Sequence, residues 1–463
     1  MRQLVLLFAV QLFGACACQA AGLAPWLSQA LGFLVGLALA VILALPVLLL
    51  GVFTAPVMAG VLVAAFLGVA WIARARLQPW LTLGWALGFT AACVPFVLDD
   101  LSVKTYDSYV FVHYAGMLRE AHALPLDGID LDTRGIFQIV GHALSVFTGD
   151  AFLTALTPAF SISIGATFAV ALDRGLRDRV LPRARWIGIA LALVVLLAIP
   201  MVRLHAVFLH TNWASAGYWF VFAALFWLAE VEQDRRYLPI AFLALLAYAL
   251  NRVENPMFGA VFLAIAVLAT RFDRRALAAP LLAFAVLLVG WLVLLVSVVP
   301  EASLHLSPAK GLLMIGAVVA VVALWLLREV PLVRRLLPYA LPAIAIASGL
   351  GVLALVVVRF EAFVVSFGSW QGDLWLRPYW GYFAWPLFAL LTIASCWLEH
   401  PPHARAVRYS IALFFLLVLL LTALAPAGYY GSGRYADLNR ISIHVVPLLC
   451  FYFALVFIPR RVR

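Results

Sequence analysis

The feature that most constrains this chain is a series of long apolar segments separated by short polar ones. Stretches such as 27–50, 52–73 and 277–298 are almost wholly apolar, and about twenty such residues let an α-helix cross the hydrocarbon core of a bilayer. Only 11% of the 463 residues are charged, whereas soluble domains average about 25%. The runs are continuous, unlike the alternating pattern of a membrane β-barrel. We therefore predict an all-α, polytopic transmembrane helical bundle.

The formal net charge of +10 has a topological explanation. Basic residues occur in short clusters between the apolar segments, and such clusters favour the cytoplasmic side of a membrane. We therefore predict no nucleic-acid partner, a multi-pass protein of the bacterial inner membrane and a cytoplasmic C-terminus. Alternating the segments gives 14 or 15 spans, about 14, in one integral-membrane domain, 1–463. The predicted outer stretches are 99–150, 202–215, 251–255, 299–310, 359–380 and 427–440.

The longest predicted outer stretch, 99–150, contains two helical patterns. The first apolar stripe is formed by Tyr106, Val110, Tyr114, Met117 and Ala121, with Ser108 on the opposite face. The second pattern covers 136–147. Because both are too short to span, we predict two amphipathic juxtamembrane helices that lie flat on the outer leaflet.

Acidic residues gather at the start of this stretch. Asp99 and Asp100 follow an apolar segment, and Asp107 opens the first amphipathic pattern. A carboxylate in the first turn of a helix, partly out of water, is placed to accept a proton from a hydroxyl. The structural alternative is that Asp107 or Thr105 caps the helix. We predict Asp107 and Asp100 as the candidate catalytic residues.

The run Asp107-Ser-Tyr-Val-Phe-Val-His-Tyr-Ala-Gly-Met-Leu resembles the first periplasmic loop of the GT-C fold glycosyltransferases. In that family an acidic residue precedes a Tyr and then Ala-x-x-Leu on a juxtamembrane helix. The residues in comparable places here are Asp107, Tyr109, Tyr114, Ala115 and Leu118. The chain departs from the family in two respects, since Ser108 replaces the usual second acid and several spans precede the loop. The resemblance covers 95–172 by motif.

The resemblance implies an inverting glycosyltransferase that takes a sugar from a polyprenyl-phosphate carrier. The acceptor would be an envelope glycan, a lipid or a protein on the periplasmic side, and the partners would include membrane lipids. The loop Asp would act as base, which makes 99–150 the extracytoplasmic catalytic loop. Some members use a divalent cation, so Mg or Mn is the cofactor to consider, although the sequence predicts no metal ligands.

Several arginines lie on the predicted outer side, where the positive-inside rule disfavours them. The planar guanidinium matches two phosphate oxygens at once, so these arginines could hold a lipid phosphate. The predicted substrate-binding residues are Arg434, Tyr435, Arg440, His210, Arg252, Glu254, Trp370 and Arg377. The alternatives are snorkelling to lipid head groups, local ion pairs such as Arg252 with Glu254, and interfacial anchoring of aromatic side chains.

Two other functions fit a many-spanned chain of this kind. An O-antigen ligase or polymerase type of enzyme also places arginines and a histidine in outer loops, although its large loop usually comes late in the chain. A transporter or flippase of lipid-linked sugars should show broken helices at matching positions of two halves. We find no such internal symmetry in the sequence.

Overall fold

The computed structural model describes residues 1–125, 129, 135–177, 180–298, 307–398, 400, 403–424 and 437–458. Within those ranges the regular structure is helical, apart from one isolated parallel bridge between Val103 and Phe208. The predicted all-α bundle is therefore confirmed.

Twenty α-helices follow one another along the described chain. The first ten are α1 (Arg2–Ala20), α2 (Pro25–Leu49), α3 (Ala55–Ala73), α4 (Pro79–Leu98), α5 (Tyr106–Ala121), α6 (Ile136–Ala143), α7 (Leu156–Leu176), α8 (Pro182–Ala198), α9 (Pro200–His205) and α10 (Thr211–Glu232). The others are α11 (Leu238–Asn251), α12 (Asn255–Ala269), α13 (Arg274–Val298), α14 (Pro308–Leu327), α15 (Pro331–Val358), α16 (Phe360–Gln371), α17 (Ala384–Ser395), α18 (Arg405–Leu424), α19 (Asp437–Ile441) and α20 (Val446–Phe457).

The predicted spans form helices of two lengths. Eleven helices of the described chain are long and apolar enough to cross a membrane, against about 14 expected. The difference comes from predicted segments that form shorter helices, namely α8, α11, α12 and α17, which have 17, 14, 15 and 12 residues. Proline at the first or second position starts α8, α11 and α12, because its fixed φ suits a helix start and it lacks the N–H left unbonded there.

The core is formed mainly by α1, α2, α7, α10, α11, α12 and α20. Glycine lets α1 and α2 cross closely, since a Cβ on Gly14 would lie 1.8 Å from the carbonyl oxygen of Gly32. Small residues at such crossings are typical of membrane helices. In contrast, α3 buries only Met58 and Ala73, so it forms part of the lipid-facing surface.

The contacts sort the connecting segments into two ends of the bundle. At one, which we call the loop end, Val103 pairs with 207–209, Asn251 contacts Thr211, and Trp380 contacts Asn439. At the other, the arginine end, Arg236 lies close to Gly22, the Arg271 backbone bonds Glu230, and Arg328 bonds the carbonyl of Thr270. Described residues of five predicted outer stretches thus share one end, and described residues of the predicted cytoplasmic clusters share the other, while the side that each end faces stays a prediction.

The two helices predicted in 99–150 are present as α5 and α6, but their surroundings differ from the prediction. Every residue of α6 is buried, so α6 packs inside the bundle instead of lying flat on a leaflet. Of its two polar side chains, His142 accepts a hydrogen bond of 3.3 Å on Nδ1 from the backbone N–H of Leu153, and its Nε2 lies 3.2 Å from Gln138 Nε2. The stripe on α5 is also rotated, since Ser108, which we predicted on the polar face, is fully buried.

Candidate active site

A buried polar cluster occupies the loop end, centred on the first turn of α10. Asn212 is its hub: Nδ2 lies 2.7 Å from His210 Nδ1, and Oδ1 accepts a hydrogen bond of 3.0 Å from Arg252 Nη1. The same Oδ1 lies 3.1 Å from His444 Nε2. Asn212 is fully buried, and His210 and His444 nearly so. The cluster thus joins residues that are more than two hundred positions apart.

Arg440 completes the cluster from α19. Its Nη1 lies 3.1 Å from His210 Nε2, and the side chain is mostly buried. The Asn212 amide is oriented by Arg252, and in that orientation it donates to His210 Nδ1. A neutral His210 then carries its proton on Nε2, the atom that faces Arg440. This edge of the cluster therefore presents hydrogen-bond donors side by side.

Arg252 and Glu254 lie in the break between α11 and α12. They form an ion pair, as the structural alternative anticipated, and both side chains are largely covered. Arg252 nevertheless reaches across to Asn212 and lies 3.3 Å from Thr211 Oγ1. Arg252 therefore pairs with Glu254 and contacts Asn212 at the same time.

Two asparagines fix the break on which Arg252 and Glu254 stand. The amide of Asn251 donates to Thr211 O and Ser215 Oγ, both at 2.7 Å. The amide of Asn255 donates to the same Ser215 Oγ at 3.0 Å and to Tyr248 O at 2.7 Å. These bonds hold the α11–α12 turn against α10.

The predicted catalytic loop lies against this cluster. Ser108, in the first turn of α5, donates from Oγ to Leu209 O at 2.7 Å, and the rings of Phe111 and His210 meet edge to face at 5.7 Å. Asp107 precedes Ser108 in that first turn, but its side chain lies outside the part of the chain that the structure describes. Thr105 stands at the N-cap position, and its backbone N–H donates to Ser108 Oγ at 3.1 Å.

Asp100 has a different environment. It has a positive φ of 42°, and its carboxylate pairs with Lys104 and accepts a 2.6 Å hydrogen bond from Ser102. Partial burial raises the pKa of Asp100, but the bonds from Lys104 and Ser102 and the Lys104 charge together hold that pKa below its ordinary value. A carboxylate so engaged is a weaker base than an unpaired one.

The aromatic segment before α17 contacts the segment that carries Arg440. The buried Trp370 donates from Nε1 to Ser442 Oγ at 2.9 Å, two residues from Arg440. The indole of Trp370 is covered and contacts the Arg440 segment, and its predicted contact with a sugar stays a prediction. Arg377 pairs at 3.2 Å with Asp373, which is only 1% exposed and lies in a π-helical turn.

Two of the predicted residues, Arg434 and Tyr435, lie outside the described residues. Four others, His210, Arg252, Glu254 and Arg440, are brought together by the structure. Among the described residues, no three His, Cys, Asp or Glu side chains are grouped so that they could hold a metal ion. The described residues therefore show no group that would hold Mg or Mn, and we derive no step through such an ion.

Sequence reasoning missed the neutral members of the cluster, which are Asn212, Ser215, Asn251, Asn255 and His444. The signal available was their position beside the chosen charged residues at helix ends. Neutral amides are common at such ends as caps and turn formers, so their types alone did not distinguish them. Buried Asp373 was missed for a related reason, because its segment is dominated by tryptophan and tyrosine.

Comparison with known proteins adds no family. No family model, no curated protein and no solved structure matches this chain. The functional argument therefore depends on the geometry of the loop end.

Proposed function

We propose that this protein is an integral-membrane glycosyltransferase that moves a sugar from a polyprenyl-phosphate carrier to an envelope glycan, lipid or protein. The observation that carries the proposal is the position of the first turn of α5, which includes Asp107, directly against the Arg440–His210–Asn212–Arg252 cluster. A base and a phosphate clamp would then stand beside each other.

The chemistry assigns one task to each side of this junction. The Asp107 carboxylate takes the proton of the acceptor hydroxyl, whose oxygen attacks the anomeric carbon of the donor sugar. The bond between that carbon and the phosphate oxygen breaks, and the lipid phosphate leaves with the electron pair. Positive charge at the leaving oxygen stabilises the developing anion, which is the term that usually contributes most to such catalysis.

The donor-rich edge supports a phosphate in the second role. Arg440 Nη1 and His210 Nε2 lie 3.1 Å apart, and an anionic oxygen is the partner that accepts from both kinds of group. Arg252 stands on the other side of Asn212. Burying a guanidinium group is costly unless an anion or acceptor compensates it, and Glu254 compensates Arg252 directly.

The test is a mass-spectrometric profile of envelope glycans from a deletion strain that carries the wild type or Asp107→Asn. We expect a sugar-sized mass to be lost with Asp107→Asn, because the amide cannot take the hydroxyl proton. The matched control is Glu120→Gln on the same helix, whose side chain is exposed; it should restore the profile. Restoration by Asp107→Asn would exclude it as base and make Asp100→Asn the next variant.

A ligase or polymerase type of transfer is the second candidate, and the buried Arg440–His210 contact favours it. The two functions differ in which residue is indispensable. In the carboxylate mechanism, Arg440 still stabilises the leaving phosphate in His210→Gln, so we expect transfer to be reduced but still measurable. If instead His210→Gln abolishes transfer while Asp107→Asn retains it, the ligase-type function is the correct one.

A further inference from the structure

A polar cavity lies at the arginine end, far along the bundle from the cluster just described. Its volume is about 340 Å³, and it is lined by the turn 22–25 between α1 and α2, by Asp234 and Tyr237, and by three arginines, Arg76, Arg174 and Arg236. These arginines come from three separate parts of the chain. Their convergence is more than the short basic cluster that topology requires of any single loop.

Gly22 makes room for two of these arginines. It has a φ of +85°, which L side chains rarely adopt, and a Cβ there would lie 2.8 Å from Arg236 Cδ and 3.0 Å from Arg76 Nη1. The turn therefore passes directly beneath both side chains. A larger residue would displace them from the cavity.

The charges around this cavity do not cancel. Arg174 pairs with Glu232 at 2.7 Å, and Arg236 pairs with Asp234 at 2.7 Å. Arg76 Nη1 donates to the carbonyl oxygen of Ala20 at 3.0 Å, and within the described chain it has no carboxylate partner. Three guanidinium groups face two carboxylates, so one positive charge is left over, on Arg76.

An apolar groove adjoins the cavity. It has a volume of about 580 Å³ and is lined by residues of α2, α4 and α7. Trp26 of the groove directly follows Pro25 of the cavity in the chain, and Trp80 lies four residues after Arg76, so residues that line the two spaces are neighbours in the chain near the starts of α2 and α4. Exposed tryptophan at such positions is typical of a membrane interface.

The floor of the groove is open along α4. Gly84 and Gly88 line it one turn apart, and a Cβ on either would meet no atom within 4 Å. The helix is nevertheless held in place at its start, because Thr82 Oγ1 accepts hydrogen bonds of 2.9 Å from both Gln19 and Gln29. The groove is therefore a fixed space between anchored helices.

We propose that the cavity and groove together bind one membrane lipid with an anionic phosphate head group, the head in the cavity and a hydrocarbon chain in the groove. Guanidinium groups match phosphate oxygens in geometry and charge. A neutral lipid would not need Arg76, and a soluble phosphate would not need the groove. The site lies at the opposite end from the cluster around Asn212 and does not depend on the proposed function.

The head-group arm of the test uses native mass spectrometry of the detergent-purified protein with phosphatidic acid as the probe. Diacylglycerol, which has the same chains without phosphate, and inorganic phosphate are the comparison ligands. We expect phosphatidic acid to bind best, and the double variant Arg76→Gln, Arg236→Gln to weaken its binding about tenfold to thirtyfold. The control Arg74→Gln, an exposed arginine of the same basic cluster that does not line the cavity, should change it by less than about twofold.

The groove arm uses Gly88→Leu, which fills the space along α4. Its matched control is Gly68→Leu on α3, where a Cβ likewise meets no atom within 4 Å but no groove is lined. We expect Gly88→Leu to weaken phosphatidic acid binding by at least about fivefold, with both variants unfolding at the wild-type temperature. If the arginine double variant fails to purify as a single species, this pair decides alone.

Two results would overturn the proposal. One is equal binding of phosphatidic acid and diacylglycerol, which would remove the role of the phosphate. The other is competition by inorganic phosphate at the same affinity together with no effect of Gly88→Leu, which would reduce the site to an anion pocket without a lipid chain.

Discussion

The two ends of the bundle use arginine in different ways. At the arginine end, Arg236 and Arg174 pair with Asp234 and Glu232, partly in contact with solvent. At the loop end, Arg440 is mostly buried against the imidazole of His210, and Arg252 contacts the amide of Asn212. Arg185, also at the arginine end, is buried and pairs with Asp173 at 2.8 Å. The two ends therefore differ in the partners of their arginines, which are carboxylates at the arginine end, and an imidazole and an amide besides Glu254 at the loop end.

This difference distinguishes arginines that set the orientation of a loop in the membrane from arginines that belong to a binding site. Basic residues that only keep a loop in the cytoplasm need water and nothing else, so they can tolerate almost any neighbour. Buried arginines held by amides in a fixed geometry require many cooperating residues, and a chain retains such an arrangement most readily where an anion binds. The loop end has this property around Asn212, whereas Arg76 and Arg236 at the arginine end are exposed.

The largest effect should come from removing the hub of the loop end. Asn212→Leu leaves His210, Arg252 and His444 without their shared partner, and we expect a loss of about 3–5 kcal/mol of stability together with loss of transfer. The measurement is the unfolding midpoint in sodium dodecyl sulfate. Asn212→Asp keeps the oxygen toward Arg252 and His444, so it should lose clearly less; equal losses would show that Asn212 is no hub.

A matched pair of arginine variants tests the comparison directly. Arg252→Gln leaves Glu254, only 18% exposed, without its cation, and we expect a loss of about 2–3 kcal/mol. Arg236→Gln breaks a pair whose guanidinium is 55% exposed, and the loss should stay below about 1 kcal/mol. Thermal unfolding of both variants in the same detergent gives the ratio of the two losses of stability. Losses of similar size would mean that the two ends do not differ as we describe.

Much of the fold follows from the sequence because membrane helices are specified locally. A segment such as 277–298 is apolar from end to end, and the structure has α13 at Arg274–Val298. Some predicted spans are shorter than a full crossing, as in α11, where the apolar run ends at Asn251 after only 14 residues. Hydropathy identified this run as a helix, but its length falls short of a span of about twenty residues.

The site could be predicted only in part, for a different reason. Basic residues on the predicted outer side of a membrane can be recognised from the sequence alone, and this pattern identified Arg252 and Arg440. The partners of those arginines depend on which helices meet, so the role of His444 follows from the packing of α10 against the segment before α20. The burial of α6 was missed likewise, since Gln138 and His142 look solvent-exposed in the sequence, and the bond from Leu153 N–H to His142 Nδ1 forms only in the folded chain.

A smaller effect should follow from crowding the loop end at its tightest point. A Cβ on Gly135 would lie 1.9 Å from Asn251 O and 2.5 Å from Arg252 N, both backbone atoms. Gly135→Ala should therefore shift the start of α6 away from the α11–α12 turn and cost about 1–2 kcal/mol of stability. The control is Gly165→Ala on α7, where a Cβ meets no atom within 4 Å and the change should be neutral or slightly stabilising. The measurement is the unfolding midpoint of each variant. An unchanged midpoint for Gly135→Ala would contradict the close packing.

The smallest effect on stability, below about 0.5 kcal/mol, is expected for single cysteines that report the direction of the two ends. Tyr109 on α5 is 60% exposed, whereas Ser108 beside it is fully buried; Arg235 is exposed at the arginine end. With native cysteines replaced, an impermeant maleimide should label Tyr109→Cys from outside and Arg235→Cys only in inverted vesicles. Ser108→Cys should stay unlabelled from both sides, because its side chain faces Leu209. Labelling of Tyr109→Cys and Arg235→Cys from the same side would contradict the two-ended arrangement. Labelling of Tyr109→Cys only from inside would place the Asn212 cluster on the cytoplasmic side, and the proposed transfer could then not occur in the periplasm.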